Sequence, residues 1–269
     1  MVRPYAPGFG RAPVRSTLSV VALHPLANRF GSVADAYERG RPNYAPAVVG
    51  ALAAELGLAP GAPVLDLAAG TGKLTRALLA FGLDVVAVEP QPEMRERLAG
   101  IIGADRVRNG IAERIPLEDS TVDAVTVADG FHWFDRPQAL VEMRRVLRPA
   151  GGLAVLTTVP DWSAASWGHE LGTMVMEARP EHPYFDGPAW DEVVRDAGGW
   201  TEPLELRVTT SQPADPERIL DYVASMSWVE ALPDDERRRW LDKAAELVRG
   251  GDTPAELPLH VGIGLTTLA

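Results

Sequence analysis

Residues 64–82 confine the chain to a narrow set of folds. Val64, Leu65 and Leu67 form a short apolar run of the kind buried on both faces of a sheet. It ends in Ala68-Ala69-Gly70-Thr71-Gly72, where small residues let backbone N–H groups come close to a ligand. Leu74, Leu78 and Phe81 then recur at helical spacing, and Gly82 sits where a helix would stop. A strand, a glycine turn and a helix N-terminus in succession form a site for a nucleotide-like cofactor.

Two acidic residues narrow the cofactor. Asp66 lies inside the strand, where an apolar residue is the default. Glu89 closes the next apolar run, Val85–Val88, and Pro90 stops that strand. An acid at the tip of a second strand accepts hydrogen bonds from a ribose diol. A dinucleotide turn asks for a third small residue, and the frame from Gly70 offers Thr75 instead. Asp66 would repel a pyrophosphate. It suits a ligand with a positively charged amino group and a sulfonium, so electrostatics favour S-adenosylmethionine over NAD.

Four segments in order then carry a resemblance. Val64–Thr75, Val85–Glu89, Val122–Asp129 and Leu147–Leu156 resemble the first motif, the ribose-acid strand, the fourth-strand motif and the Leu-Arg-Pro entry to strand five of class I S-adenosylmethionine-dependent methyltransferases. Within that family, residues 30–44 and His132-Trp133-Phe134-Asp135 resemble the trans-aconitate methyltransferase-like branch, which acts on small molecules. The resemblance implies cofactor contacts at Asp66, Ala68, Gly70, Gly72, Glu89, Gln91, Ala112, Asp129 and Gly130, with Tyr37 and Arg41 at the methionine end. Ala68 replaces the family's usual first glycine and is expected to fit with φ below zero. Ile111 replaces a common aspartate, which leaves adenine recognition to backbone near Ala112 and to apolar packing. Arg41 has two readings, the methionine carboxylate or a surface ion pair with Glu38.

The implied fold is α/β: a Rossmann-like, seven-stranded, mostly parallel sheet with helices on both faces and a small helical cap. From about residue 45 the pattern alternates helix and strand. Strands are expected near 63–67, 84–89, 105–109, 122–127, 152–158, 204–210 and 259–268, with helices over 45–56 and 138–147. The amphipathic stretches 216–228 and 234–248 fall outside the sheet and form the cap, an insertion at about 212–256. Residues 1–28 contain three arginines, four prolines and no acid, and read as a flexible tail before a domain over 29–269.

Charge and composition bear on partners. Acids outnumber bases 37 to 26 and no basic stripe appears, which argues against a nucleic-acid substrate. Zero cysteines fit a reducing, cytoplasmic setting, and no apolar run is long enough to span a membrane. The expected partner is a small-molecule substrate, with a homodimer allowed.

Methyl transfer from a sulfonium needs alignment and exclusion of water more than a catalytic constellation. The five histidines show no metal-ligand spacing, so no metal is expected. His132, just past the fourth strand, is the candidate general base; the other reading is a histidine packed beside Trp133 and Phe134. Trp133, Trp162, Trp167 and Tyr184 are the candidate walls of a substrate pocket, with the alternative that such aromatics form a satellite core.

Overall fold

The computed structural model describes residues 23–269. Among them, β1 (Pro63–Leu67), β2 (Asp84–Val88), β3 (Val107–Arg108), β4 (Val122–Ala128), β5 (Leu147–Pro160), β6 (Leu204–Pro213) and β7 (Glu256–Thr267) form one sheet in the order β3-β2-β1-β4-β5-β7-β6. Strand β7 runs antiparallel to both of its neighbours, and the other pairings are parallel. The helices are α1 (Ala34–Gly40), α2 (Pro46–Glu55), α3 (Lys73–Ala80), α4 (Pro92–Ile102), α5 (Arg136–Val146), α6 (Gly168–Ala178), α7 (Pro183–Asp186), α8 (Trp190–Ala197), α9 (Pro216–Ala224), α10 (Ser227–Glu230) and α11 (Asp234–Gly250). No helix among the described residues is long and apolar enough to cross a membrane.

Alternation along the strands builds two cores. Leu65 and Leu67 face a layer with Val125, Val127, Leu140 and Met143 of β4 and α5. Val64 points the other way, onto Val48 and Leu52 of α2 and Leu74 and Leu78 of α3. Each central strand is therefore buried on both faces, which is why its sequence reads as a continuous apolar run. The edge strand β3 is shorter than expected, two residues against five, and β5 is longer, starting at Leu147 rather than 152.

The cap has a core of its own. Leu171 and Met174 of α6 pack with Ile219, Tyr222 and Val223 of α9 and with Ala244 and Val248 of α11. Helix α6 lies between β5 and β6, so the cap draws on more than the expected 212–256 insertion. Helix α1 docks on α9 through Gly40, whose missing Cβ leaves room for the backbone of Asp221 and Tyr222.

The N-terminal boundary also moves. Residues 1–22 of the expected tail lie outside the described residues. Residues 23–28 do not trail away: Ala27–Val33 winds into a 3-10 helix. Gln91 Nε2 donates to Asn28 Oδ1 at 2.9 Å and to the Ala27 carbonyl at 3.4 Å. The His24 ring lies 5.1 Å from that of Trp133.

Candidate functional site

Three adjoining spaces open at the carboxyl ends of β1, β2, β4 and β5, the edge where open α/β sheets bind ligands. A cleft of about 270 Å³ is lined by Leu67, Ala68, Gly70, Glu89, Gln91 and Ala112 among others. A narrow pocket of about 20 Å³ lies against the glycine turn, walled by Tyr37, Arg41, Tyr44, Asp66 and Lys73. A cavity of about 360 Å³ lies between the sheet and the cap, with His132, Trp162, His182 and Tyr184 in its wall. Phe30, Asp129 and Trp133 border both the cleft and this cavity, so they form the partition between them.

Glu89 is the best-held group of the cleft. Its side chain follows β2 directly and the residue is 4 % exposed. Oε2 accepts from the Gly70 N–H and Oε1 from the Gln91 N–H, both at 2.8 Å. Burial pushes its carboxyl up to about 7, with the two N–H donors pulling the other way. A carboxylate has about four acceptor sites, so two remain for a ligand diol after these two bonds.

The glycine turn differs from expectation at one position. Ala68 has φ +57°, in the left-handed region, where a negative value was expected. The chain must leave β1 and return sharply enough for Gly70 N to reach Glu89, and this bend demands the left-handed residue. Alanine there costs about 1–2 kcal/mol relative to an ordinary backbone conformation. Ala68→Gly is therefore expected to stabilise the fold by roughly 0.5–1 kcal/mol, part of the relief being lost to glycine's freedom in the unfolded chain. Thermal unfolding should register this as a rise of about 2 °C.

Gly72 and Asp66 act from beneath the turn. Gly72 is absent from the cleft wall; it precedes α3 with φ +88°, and a Cβ there would come within 2.5 Å of Leu98 Cδ1. Its role is packing of α3 against α4. Asp66 is 1 % exposed. Thr75 donates to Asp66 Oδ2 at 2.5 Å and Thr126 to Oδ1 at 3.2 Å. The carboxyl thus ties β1 to α3 and β4, and it borders the narrow pocket rather than the cleft. Burial raises it to about 6, against the two hydroxyl bonds.

The narrow pocket resolves Arg41. Glu38 pairs with Arg76 at 3.0 Å and Lys73 at 3.5 Å, so the surface ion pair with Arg41 is not formed. Arg41 instead lies over the Tyr222 ring at 4.4 Å and near Tyr37 at 5.3 Å, with Nε donating to Ser225 Oγ at 2.9 Å. Asp129 stands opposite, itself at φ +52°. Its Oδ1 accepts from Thr158 N at 3.0 Å and its Oδ2 from the Tyr44 hydroxyl at 3.1 Å. The side chain thus caps its own loop, and the backbone of Asp129 and Gly130 is left at the cleft.

At the far end of the cleft, Ile111 and Ala112 line an apolar slot with Met94 and Leu67. Sequence reasoning missed Glu113 beside them. It is 8 % exposed, and its Oε1 accepts from Asp135 N at 2.7 Å. This bond fastens the loop after β3 to the start of α5. An acid directly after Ile111 and Ala112 was the available signal.

His132 lines the larger cavity. Among the described residues its ring nitrogens meet no hydrogen-bond partner. Its ring lies 4.6 Å from Trp133, 5.3 Å from Tyr184 and 5.5 Å from His182. Burial lowers His132 to about 3 and His182 to about 4, so both rings are neutral at physiological pH. His182, unnoticed in the sequence, arrives from fifty positions downstream. Trp133, Trp162 and Tyr184 reach the cavity, but Trp167 does not. It is 2 % exposed, packs in the cap core and donates Nε1 to Thr253 Oγ1 at 2.9 Å. For Trp167 the satellite-core alternative holds.

Comparison with known proteins agrees with this geometry. The methyltransferase domain model matches residues 65–155. An uncharacterized methyltransferase of Mycobacterium tuberculosis is 40% identical over 223 residues, covering 81% of this chain and 85% of its own. A methyltransferase-like protein of Schizosaccharomyces pombe is 30% identical, covering 77% and 80%. Among solved structures, a putative type II methyltransferase from Anaeromyxobacter dehalogenans superposes with a TM-score of 0.57 at 26% identity, covering 84% of this chain and 96% of that one. The chain belongs to the class I methyltransferase family. Membership sets aside the nicotinamide-dependent alternative.

Proposed function

We propose that the protein transfers a methyl group from S-adenosylmethionine to an oxygen, nitrogen or carbon nucleophile of a small molecule. The observation that carries this reading is Glu89, buried at the tip of β2 with its carboxylate oriented by Gly70 and Gln91 and open to the cleft. The remaining groups fit the same donor. Leu67, Met94, Ile111 and Ala112 offer an apolar slot for adenine. Arg41, lacking a carboxylate partner among the described residues, suits the methionine carboxylate in the narrow pocket. Tyr37, Asp66 and Asp129 put oxygen atoms around the place of its amino group. Gly130 lets β4 approach Ala68, whose Cβ would lie 3.3 Å from a Cβ at Gly130.

When bound, the donor supplies an already activated methyl group. The protein's own task is then to hold the donor's ribose and carboxylate, exclude water with Phe30 and Trp133, and align an acceptor in the larger cavity. His132 faces that cavity as a neutral base. A concave, largely apolar cavity of about 360 Å³ supports a small-molecule acceptor, in keeping with the branch resemblance of residues 30–44 and 132–135.

Calorimetric titration with S-adenosylhomocysteine and with NADH tests the cofactor. Binding of the first alone is expected; binding of NADH alone would overturn the reading. A labelled methyl group appearing on a compound in a metabolite extract is expected of an enzyme. Its absence under saturating cofactor would favour a non-catalytic, cofactor-binding role.

A further inference from the structure

The cavity between sheet and cap is walled by rings. Phe30, Trp133, Trp162, Tyr184, Phe185 and Trp228 all border it. Several meet edge to face, as Tyr184 and Phe185 do at 4.8 Å and 87°, and Phe30 and Trp133 at 5.9 Å and 75°. Such walls accept the face or edge of another ring. The apolar character continues outward, because Val159, Met176, Tyr184 and Phe185 are all 40–50 % exposed at this cavity's rim.

Charge is the other half of the argument. Apart from its two neutral histidines, the lining has one acid and one base, Asp129 and Arg41. Both Asp129 oxygens already accept hydrogen bonds. Arg41 also walls the narrow pocket, where the cofactor reading assigns it the methionine carboxylate. With Arg41 so engaged, no lining cation remains to neutralise an anionic acceptor. Burying an unpaired carboxylate there costs far more than burying a hydroxyl that has a hydrogen-bond acceptor.

We infer that the acceptor is an uncharged aromatic compound bearing a hydroxyl, seated among these rings with the hydroxyl at His132. The inference rests on the cofactor reading. In the transfer, the hydroxyl oxygen forms the new bond to the methyl carbon. The carbon–sulfur bond breaks with its electron pair left on sulfur, and the hydroxyl proton passes to a ring nitrogen of His132. One positive charge leaves the sulfonium and one appears on the imidazolium, so the net charge of the site is unchanged.

The test compares 2-naphthol with 2-naphthoate, similar in shape and opposite in charge requirement, by calorimetry on protein saturated with S-adenosylhomocysteine. Naphthol is expected to bind at least about tenfold more tightly. Tyr184→Ala, at an exposed rim position, should weaken naphthol about fivefold and leave S-adenosylhomocysteine affinity unchanged. Naphthoate binding as tightly as naphthol would overturn the inference and make Arg41 an anchor for the acceptor. So would the failure of naphthol to bind while S-adenosylhomocysteine binds normally. Loss of S-adenosylhomocysteine binding itself is a separate result, which overturns the cofactor reading and this inference with it.

Discussion

Glu89→Ala is expected to weaken S-adenosylhomocysteine binding by about 3 kcal/mol, roughly a hundredfold. The carboxylate does two things at once. It would accept from the ribose hydroxyls, and it already accepts from Gly70 N and Gln91 N at 2.8 Å each. Alanine removes the ligand's acceptor and also leaves two N–H donors of the cleft wall without a partner. Calorimetry on the variant measures the loss, and unchanged affinity would mean that the ribose is held elsewhere.

The same group predicts a pH dependence. Burial raises Glu89 to about 7. Only the ionised form accepts four hydrogen bonds, so affinity for S-adenosylhomocysteine should rise as pH goes from about 6 to 8. Stability of the unliganded protein should move in the opposite direction. A carboxyl whose folded pKa lies above its unfolded value of 4.5 contributes fully below that value and loses its contribution as pH rises through about 7. Asp66, raised to about 6, adds a loss of the same sign at somewhat lower pH. Glu89→Gln should flatten both the affinity profile and part of the stability profile.

His132→Ala is expected to lower kcat by about 10² for a hydroxyl acceptor, the low end for a positioned general base, because a ring held neutral down to about 3 accepts a proton weakly. Burial holds the ring neutral down to about 3. With saturating cofactor, the wild-type kcat should therefore show no fall between about pH 8 and pH 5 of the kind an ordinary histidine near 6.5 would produce. The defect of the variant should shrink as pH approaches the acceptor's own pKa, because a self-ionised hydroxyl needs no base. A packing role predicts a defect that does not vary with pH. Wild-type turnover in the variant would leave His132 as part of the cavity wall only.

Much of the cleft proposed for the cofactor was legible in one dimension. The run Val64–Leu67, the small residues to Gly72 and the helix after them are local patterns, and local patterns set strand, turn and helix. Glu89 stood out because an acid followed by proline ends an apolar strand. The larger cavity was less legible. Apolar and aromatic side chains announce that they will be buried, but not in which core. Trp162 and Trp167 are five positions apart, yet one borders the cavity and the other fills the cap. Glu113 and His182 were missed because their roles come from partners distant in sequence.

By itself, the sequence determined the α/β class, the order of strands and helices, and the acid at the tip of β2. Each of these depends on periodicity and on residues next to one another along the chain. Tertiary structure alone decided the left-handed Ala68, the partner of Arg41, the docking of residues 23–33 over the cleft and the meeting of His132 with His182. Those outcomes depend on which surfaces the folded sheet and cap bring within a few ångströms, and hydrophobic pattern carries no record of that distance.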